Sequence, residues 1–80
     1  MVINLIWEVR ICYKPGVLDA EGESTLKGLK ALGFKNVEKV STAKIFRIKG
    51  NVKKEEVEEM CKRLLANPIS QHYEILKIED

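Results

Sequence analysis

Apolar and polar residues alternate strictly from Val2 to Lys14. Ile3, Leu5, Trp7, Val9, Ile11 and Tyr13 stand two apart, the spacing of a strand with one buried face. The opposite face carries Val2, Asn4, Ile6, Glu8, Arg10, Cys12 and Lys14, a mixed set rather than a polar one. Lys14-Pro15-Gly16 ends the strand, because proline lacks the ladder N–H and Pro-Gly favours a turn. Asp19 then predicts an N-cap for a helix beginning near Ala20, with Glu21 and Glu23 at its positive end. Leu26, Leu29 and Leu32 give this helix an apolar stripe, and Gly33 closes it as a C′ residue.

Val37 to Lys49 reads as one long strand in which Val40, Thr42, Phe46 and Ile48 share a face and Val37 and Ile45 fall on the other. The phase change predicts a bulge or bend; a hairpin within residues 41–44 is the other reading. Gly50-Asn51 breaks the strand. A second helix is expected from about Lys53 to Ala66, with Val57, Met60, Cys61, Leu64 and Leu65 as a full amphipathic stripe. Glu58–Lys62 and Glu59–Arg63 are spaced for i,i+4 ion pairs. Asn67-Pro68 ends the helix, and a short strand follows over Tyr73 to Ile78.

The order β-α-β-α-β predicts an α+β fold: two helices on one face of a three-stranded sheet, close to a ferredoxin-like arrangement lacking one strand. A single domain over residues 1–80 is expected. A chain of 80 residues buries only about 60–65% of its unfolded surface, and a three-stranded sheet has two open edges. Self-association is the expected remedy, as a dimer or a tetramer. Val2, Ile6 and Cys12, on the second face of the first strand, are the candidate contact residues.

Charge and composition narrow the chemistry. The net charge is +2, from 14 basic and 12 acidic residues mixed along the chain, without the basic patch of a nucleic-acid binder. Trp7, Tyr13 and Phe46 fall on expected core faces, which argues against an RNA-binding sheet. The first residues lack a basic n-region and no run reaches the ~18 apolar residues of a membrane span. With two cysteines lacking CxxC spacing, this predicts a protein of the reducing cytoplasm.

No metal or cofactor site is expected. One histidine, His72, and the spacing of Cys12 and Cys61 do not make a zinc set. A Cys–His nucleophile pair would need His72 to meet a cysteine in space, and no pattern in the sequence brings them together. His72 is expected in solvent, Cys61 in the core. The segment from Lys14 to Asp19 sits where phosphate loops sit, but it has neither GxGxxG nor GxxxxGK[ST], and Asp19, Glu21 and Glu23 would repel an anion. The chain thus carries no catalytic set of its own.

Two stretches do carry a resemblance. Lys14-Pro15-Gly16-Val17-Leu18-Asp19-Ala20-Glu21-Gly22 follows the first strand. Leu64-Leu65-Ala66-Asn67-Pro68, then Ile69 and Tyr73-Glu74-Ile75, follow the second helix. With Gly33 closing the first helix, they resemble the PurS family, the small subunit of phosphoribosylformylglycinamidine synthase, over nearly the whole chain. Ala20 and the run Ile69 to His72 depart from that family's usual pattern, at turns and surface positions. The resemblance implies a non-catalytic subunit of an ATP- and glutamine-dependent ligase complex of purine biosynthesis. It also implies two partners, a glutaminase subunit that releases ammonia and a large synthetase subunit that uses it. Lys14, Pro15, Gly16, Asp19, Asn67 and Pro68 are the candidate partner surface. The alternative from a different class is a small regulatory module that binds an amino acid at a dimer interface.

Overall fold

The strictest alternation in the chain becomes the central strand. In the computed structural model, which describes residues 5–79, β1 (Leu5–Tyr13) pairs antiparallel with both β2 (Ala43–Gly50) and β3 (Gln71–Glu79), in the order β2-β1-β3. With helices α1 (Ala20–Ala31) and α2 (Lys54–Met60), this is the expected three-stranded α+β architecture.

Trp7, Val9 and Ile11 point to one face of the sheet and are buried with Val57, Cys61 and Ala66. The register explains the packing. Val9 lies between Phe46 and Ile75, and Trp7 stands opposite Ile48. The Trp7 indole N–H donates to the Val52 carbonyl at 2.9 Å. That bond satisfies the one polar atom of a core side chain and ties β1 to the approach of α2.

Past Met60 the helix widens. Ala66 N–H donates to the Cys61 carbonyl at 2.9 Å, an i→i+5 closure over Cys61–Leu65. The wider turn shifts the phase of the apolar stripe. Val57 and Cys61 are fully buried and Leu65 packs against the core, whereas Leu64, expected on the same stripe, is 83% exposed.

The first helix departs from expectation in its placement. β1 and β2 are antiparallel neighbours, with Cys12 opposite Ala43. The chain must therefore leave and re-enter the sheet at the same end, and residues 14–42 form an excursion from that end. Only α2 lies on the sheet; α1 belongs to the excursion and does not cover it. The molecule accordingly measures 54 × 28 × 14 Å, with a radius of gyration of 16.4 Å. A compact chain of this length would have about 12 Å.

Local signals still set the ends of α1. Asp19 caps it by accepting from the Gly22 amide at 2.9 Å. At the far end Phe34 N–H donates to the Leu29 carbonyl and Gly33 N–H to that of Lys30, both at 3.0 Å, with Gly33 at φ +104°. This paired closure is the motif that a C′ glycine permits. Beyond it, residues 37–42 run back past α1 without regular structure and outside the sheet, so the long strand expected from Val37 begins only at Ala43 and no hairpin forms over 41–44. β1, the partner that β2 needs, ends at Tyr13.

The sheet face away from α2 carries Ile6, Glu8, Arg10 and Cys12. Glu8 is only 8% exposed there. Its carboxylate accepts from Arg10 at 3.4 Å and from Arg47 at 3.3 Å.

Candidate functional site

The end of β1 and the start of β3 meet at one end of the sheet, because the two strands are antiparallel. The turns singled out in the sequence therefore become neighbours. Lys14 N–H donates to the Ser70 carbonyl at 2.9 Å, and Lys14 Nζ donates to the Pro68 carbonyl at 2.7 Å. A contact spanning 54 residues thus joins the Lys14–Asp19 turn to the Asn67-Pro68 turn.

Each turn has its own local logic. Val17 N–H donates to the Lys14 carbonyl at 3.1 Å, with Gly16 at φ +86°. Proline followed by a positive-φ glycine at the two central positions is the pattern of a type II turn. In the second turn Asn67 Oδ1 accepts from Ile69 N–H at 2.9 Å, and Asn67 N–H donates to Gln71 Oε1 at 2.8 Å. Asparagine side chains favour such turns because they mimic backbone hydrogen bonding.

Asp19 does more than cap α1. Its Oδ2 accepts from Thr42 N–H at 2.6 Å, and the Thr42 hydroxyl lies 2.9 and 2.8 Å from its two oxygens. One carboxylate thus fastens the start of the excursion to its end. The Gly22 amide, then the Thr42 amide, hold the carboxyl below its usual range, with the Thr42 hydroxyl and Lys39 acting the same way against partial desolvation.

A groove of about 610 Å³ lies between the two ends of the excursion, lined among others by Cys12, Lys14, Asp19, Lys39, Thr42 and His72. Cys12 and His72 stand directly opposite each other in the β1–β3 register. The sequence reading expects no such meeting; register, which no local pattern encodes, creates it. His72 is exposed as expected and Cys12 half-buried. Among the described residues no hydrogen bond joins the two side chains, so the pair lacks the engaged base that a nucleophile needs. Cys61 is in the core, where burial, with the Glu58 carboxylate second, pushes its thiol up. Among the described residues there is no group of three His, Cys, Asp or Glu side chains placed to hold a metal ion.

The other candidates sort by position. Ile6 is half-buried on the open sheet face with Cys12, and Val2 lies outside the described residues. Thr42 was not singled out by the sequence reading, nor were the Pro68 and Ser70 carbonyls. Their roles depend on long-range pairing, and only a hydroxyl just before β2 hinted at Thr42.

A family model described as PurS, phosphoribosylformylglycinamidine (FGAM) synthase, matches residues 6–79. The chain belongs to the PurS family. A PurS subunit of phosphoribosylformylglycinamidine synthase from Archaeoglobus fulgidus is 51% identical over 77 residues, covering 90% of this chain and 96% of that protein. The crystal structure of PurS from Methanocaldococcus jannaschii, one of the subunits of formylglycinamide ribonucleotide amidotransferase in the purine biosynthetic pathway, superposes with a TM-score of 0.86. It is 44% identical and covers 95% of this chain and 98% of its own. A chain in the structure of PurLQS from Thermotoga maritima shares the fold, with a TM-score of 0.79 at 24% identity, covering 94% of this chain and 98% of its own. The PurS resemblance, read in the sequence over nearly the whole chain, thus holds over residues 6–79. Among the described residues no helix is long and apolar enough to cross a membrane.

Proposed function

We propose that this PurS chain is the non-catalytic connector of phosphoribosylformylglycinamidine synthase, a cytoplasmic single-domain subunit spanning residues 1–80. It holds a glutaminase subunit and a large synthetase subunit together while ammonia passes from one to the other. Ammonia released into water is protonated and diluted, so transfer depends on that proximity. The synthetase supplies the ATP chemistry, and the connector supplies position.

One observation carries the reading. The two family-like turns, 54 residues apart, converge through Lys14 and Pro68 on one exposed surface at the end of the sheet. Lys14, Pro15, Gly16, Asn67 and Pro68 are all exposed there, and Asp19 stands behind them, holding the excursion in place. That surface is the proposed contact with the glutaminase or synthetase. Ile6 and Cys12, on the sheet face opposite α2, belong to the proposed contact between copies of the chain.

The experiment is reconstitution. The chain is added to, or left out of, a mixture of its cognate glutaminase and synthetase, and amidine formation is followed with glutamine or with ammonia as the nitrogen source. The expected result is that omission abolishes the glutamine-dependent reaction and impairs the ammonia-dependent one less. Glutamine-dependent turnover that persists undiminished without the chain would overturn the assignment.

A further inference from the structure

Where the second helix widens, a groove of about 360 Å³ opens between it and the start of β3, on the α2 side of the sheet. The i→i+5 closure returns Ala66 against Cys61, so a methyl group lines the groove there. Half-buried Tyr73 and exposed Pro68 line it as well, each with a ring.

The polar lining is one-sided. Lys14 Nζ donates to the Pro68 carbonyl at 2.7 Å, which uses one of its three ammonium protons. Gln71 Oε1 accepts from the Asn67 N–H at 2.8 Å. That bond sets the amide with its Nε2 protons as the free end, and among the described residues they meet no acceptor. Lys62 lines the groove too. Its spacing suggests an ion pair with Glu58, but among the described residues it makes none, whereas its neighbour Arg63 pairs with Glu59 at 3.6 Å. Among the described residues no aspartate or glutamate lines the groove.

We propose that this groove binds a phosphate monoester carried on a flat heteroaromatic body, the chemistry of a mononucleotide. Two ammonium groups match the charge of a phosphate monoester, about −1.5 to −2 at neutral pH, whereas a single carboxylate would leave one of them unmatched. Lysine suits such a group as a point charge that needs no bidentate geometry. The Gln71 amide adds neutral donors beside it. Tyr73 gives the heterocycle a surface to lie on, and stacking on an aromatic ring tolerates any base, since every base has a π-face. The volume lies at the low end of small-ligand pockets, about 300–1,000 Å³, enough for one nucleotide and too little for a dinucleotide. The groove is complete within one chain, so the proposal stands apart from the connector reading.

The test is a titration of the isotope-labelled full chain with adenosine 5′-monophosphate, followed by NMR on the backbone amides and the Tyr73 ring. Separate titrations use adenosine, ribose 5-phosphate and inorganic phosphate. The nucleotide should bind saturably, with the largest shifts at Lys62, Ala66, Gln71 and Tyr73. Each fragment should bind about tenfold more weakly or worse, because it forfeits either the ring contact or the charged hydrogen bonds. Lys62→Ala should weaken the nucleotide by a similar factor. Lys62 is exposed, so the spectrum of that variant should otherwise stay native. Tyr73→Leu should lower the affinity for the nucleotide to that for ribose 5-phosphate. Lys54→Ala, exposed on the same helix but outside the groove, should leave binding unchanged. No saturable shift, shifts centred elsewhere, inorganic phosphate or ribose 5-phosphate binding as tightly as the nucleotide, or full affinity in Lys62→Ala would each overturn the proposal. Amidine synthesis plays no part in this readout, so failure of the connector role and failure of the groove are told apart.

Discussion

Asp19 and Thr42 stand 23 residues apart and meet at 2.6 Å, carboxylate to backbone amide, closing the base of the excursion that carries α1. The same carboxylate caps the helix through Gly22. One side chain therefore decides both where α1 starts and where the chain returns to the sheet.

Asp19→Ala should loosen residues 14–42 while sparing the sheet. Native-state hydrogen exchange should show faster exchange of the α1 amides and of Thr42, with little change in β1. The core formed by Trp7, Val9, Ile11, Val57 and Cys61 makes no use of the clamp. Uniform loss of protection across β1 and α1 together would show that the excursion and the sheet unfold as one unit.

The same clamp gives a pH dependence with a definite sign. The folded carboxyl lies below its unfolded value of 3.8, so its contribution is complete well above pH 3.8. It is lost as pH falls through the lower folded value. Helix protection in residues 20–31 should decline in that acidic window, whereas Asp19→Asn should flatten this part of the profile. A decline that begins near neutral pH would point to another group.

Gly22 and Gly28 lie on one helix and should respond oppositely to alanine. At Gly28 a Cβ meets nothing within 4 Å, so Gly28→Ala should stabilise by about 0.5–1 kcal/mol through helix propensity. At Gly22 a Cβ would collide with the Val40 carbonyl oxygen and press on the Asp19 carboxylate. There the propensity gain is outweighed, and Gly22→Ala should destabilise the excursion. Hydrogen exchange within α1 reads both.

Much of this architecture was legible in the sequence, and the unread part has a common cause. The alternation from Leu5 to Tyr13, the Asp19 cap and the Gly33 closure are local signals, and each is found in place. The direction of α1 was not legible. Leu26, Leu29 and Leu32 suggest a covering helix, yet the pattern cannot say whether β2 returns parallel or antiparallel to β1. The antiparallel return places the helix in the excursion rather than on the sheet. Leu64 was misplaced because an i→i+5 turn leaves no mark on the apolar spacing. Glu8 reads in the sequence only as a member of a mixed strand face; its partners there include Arg47 from another strand, which no local pattern reveals. Cys12 and His72 face each other through register alone.

The last prediction concerns Lys14. Its ammonium donates to the Pro68 carbonyl at 2.7 Å in an exposed setting, where one such bond is worth about 1 kcal/mol or less to the fold. Lys14→Met keeps the aliphatic stem but removes both the charge and the link between the two turns. The melting transition should therefore move little. If this surface meets a partner subunit, complex formation and glutamine-dependent amidine synthesis should fall together, with the ammonia-dependent reaction less affected because it bypasses transfer. Lys14→Arg retains a donor and a charge and should recover most of the loss. A Lys14→Met chain that assembles and turns over glutamine like the wild type would remove Lys14 from the partner surface. The two turns would then be left as shapers of the backbone, the work already visible in Gly16 and in Asn67.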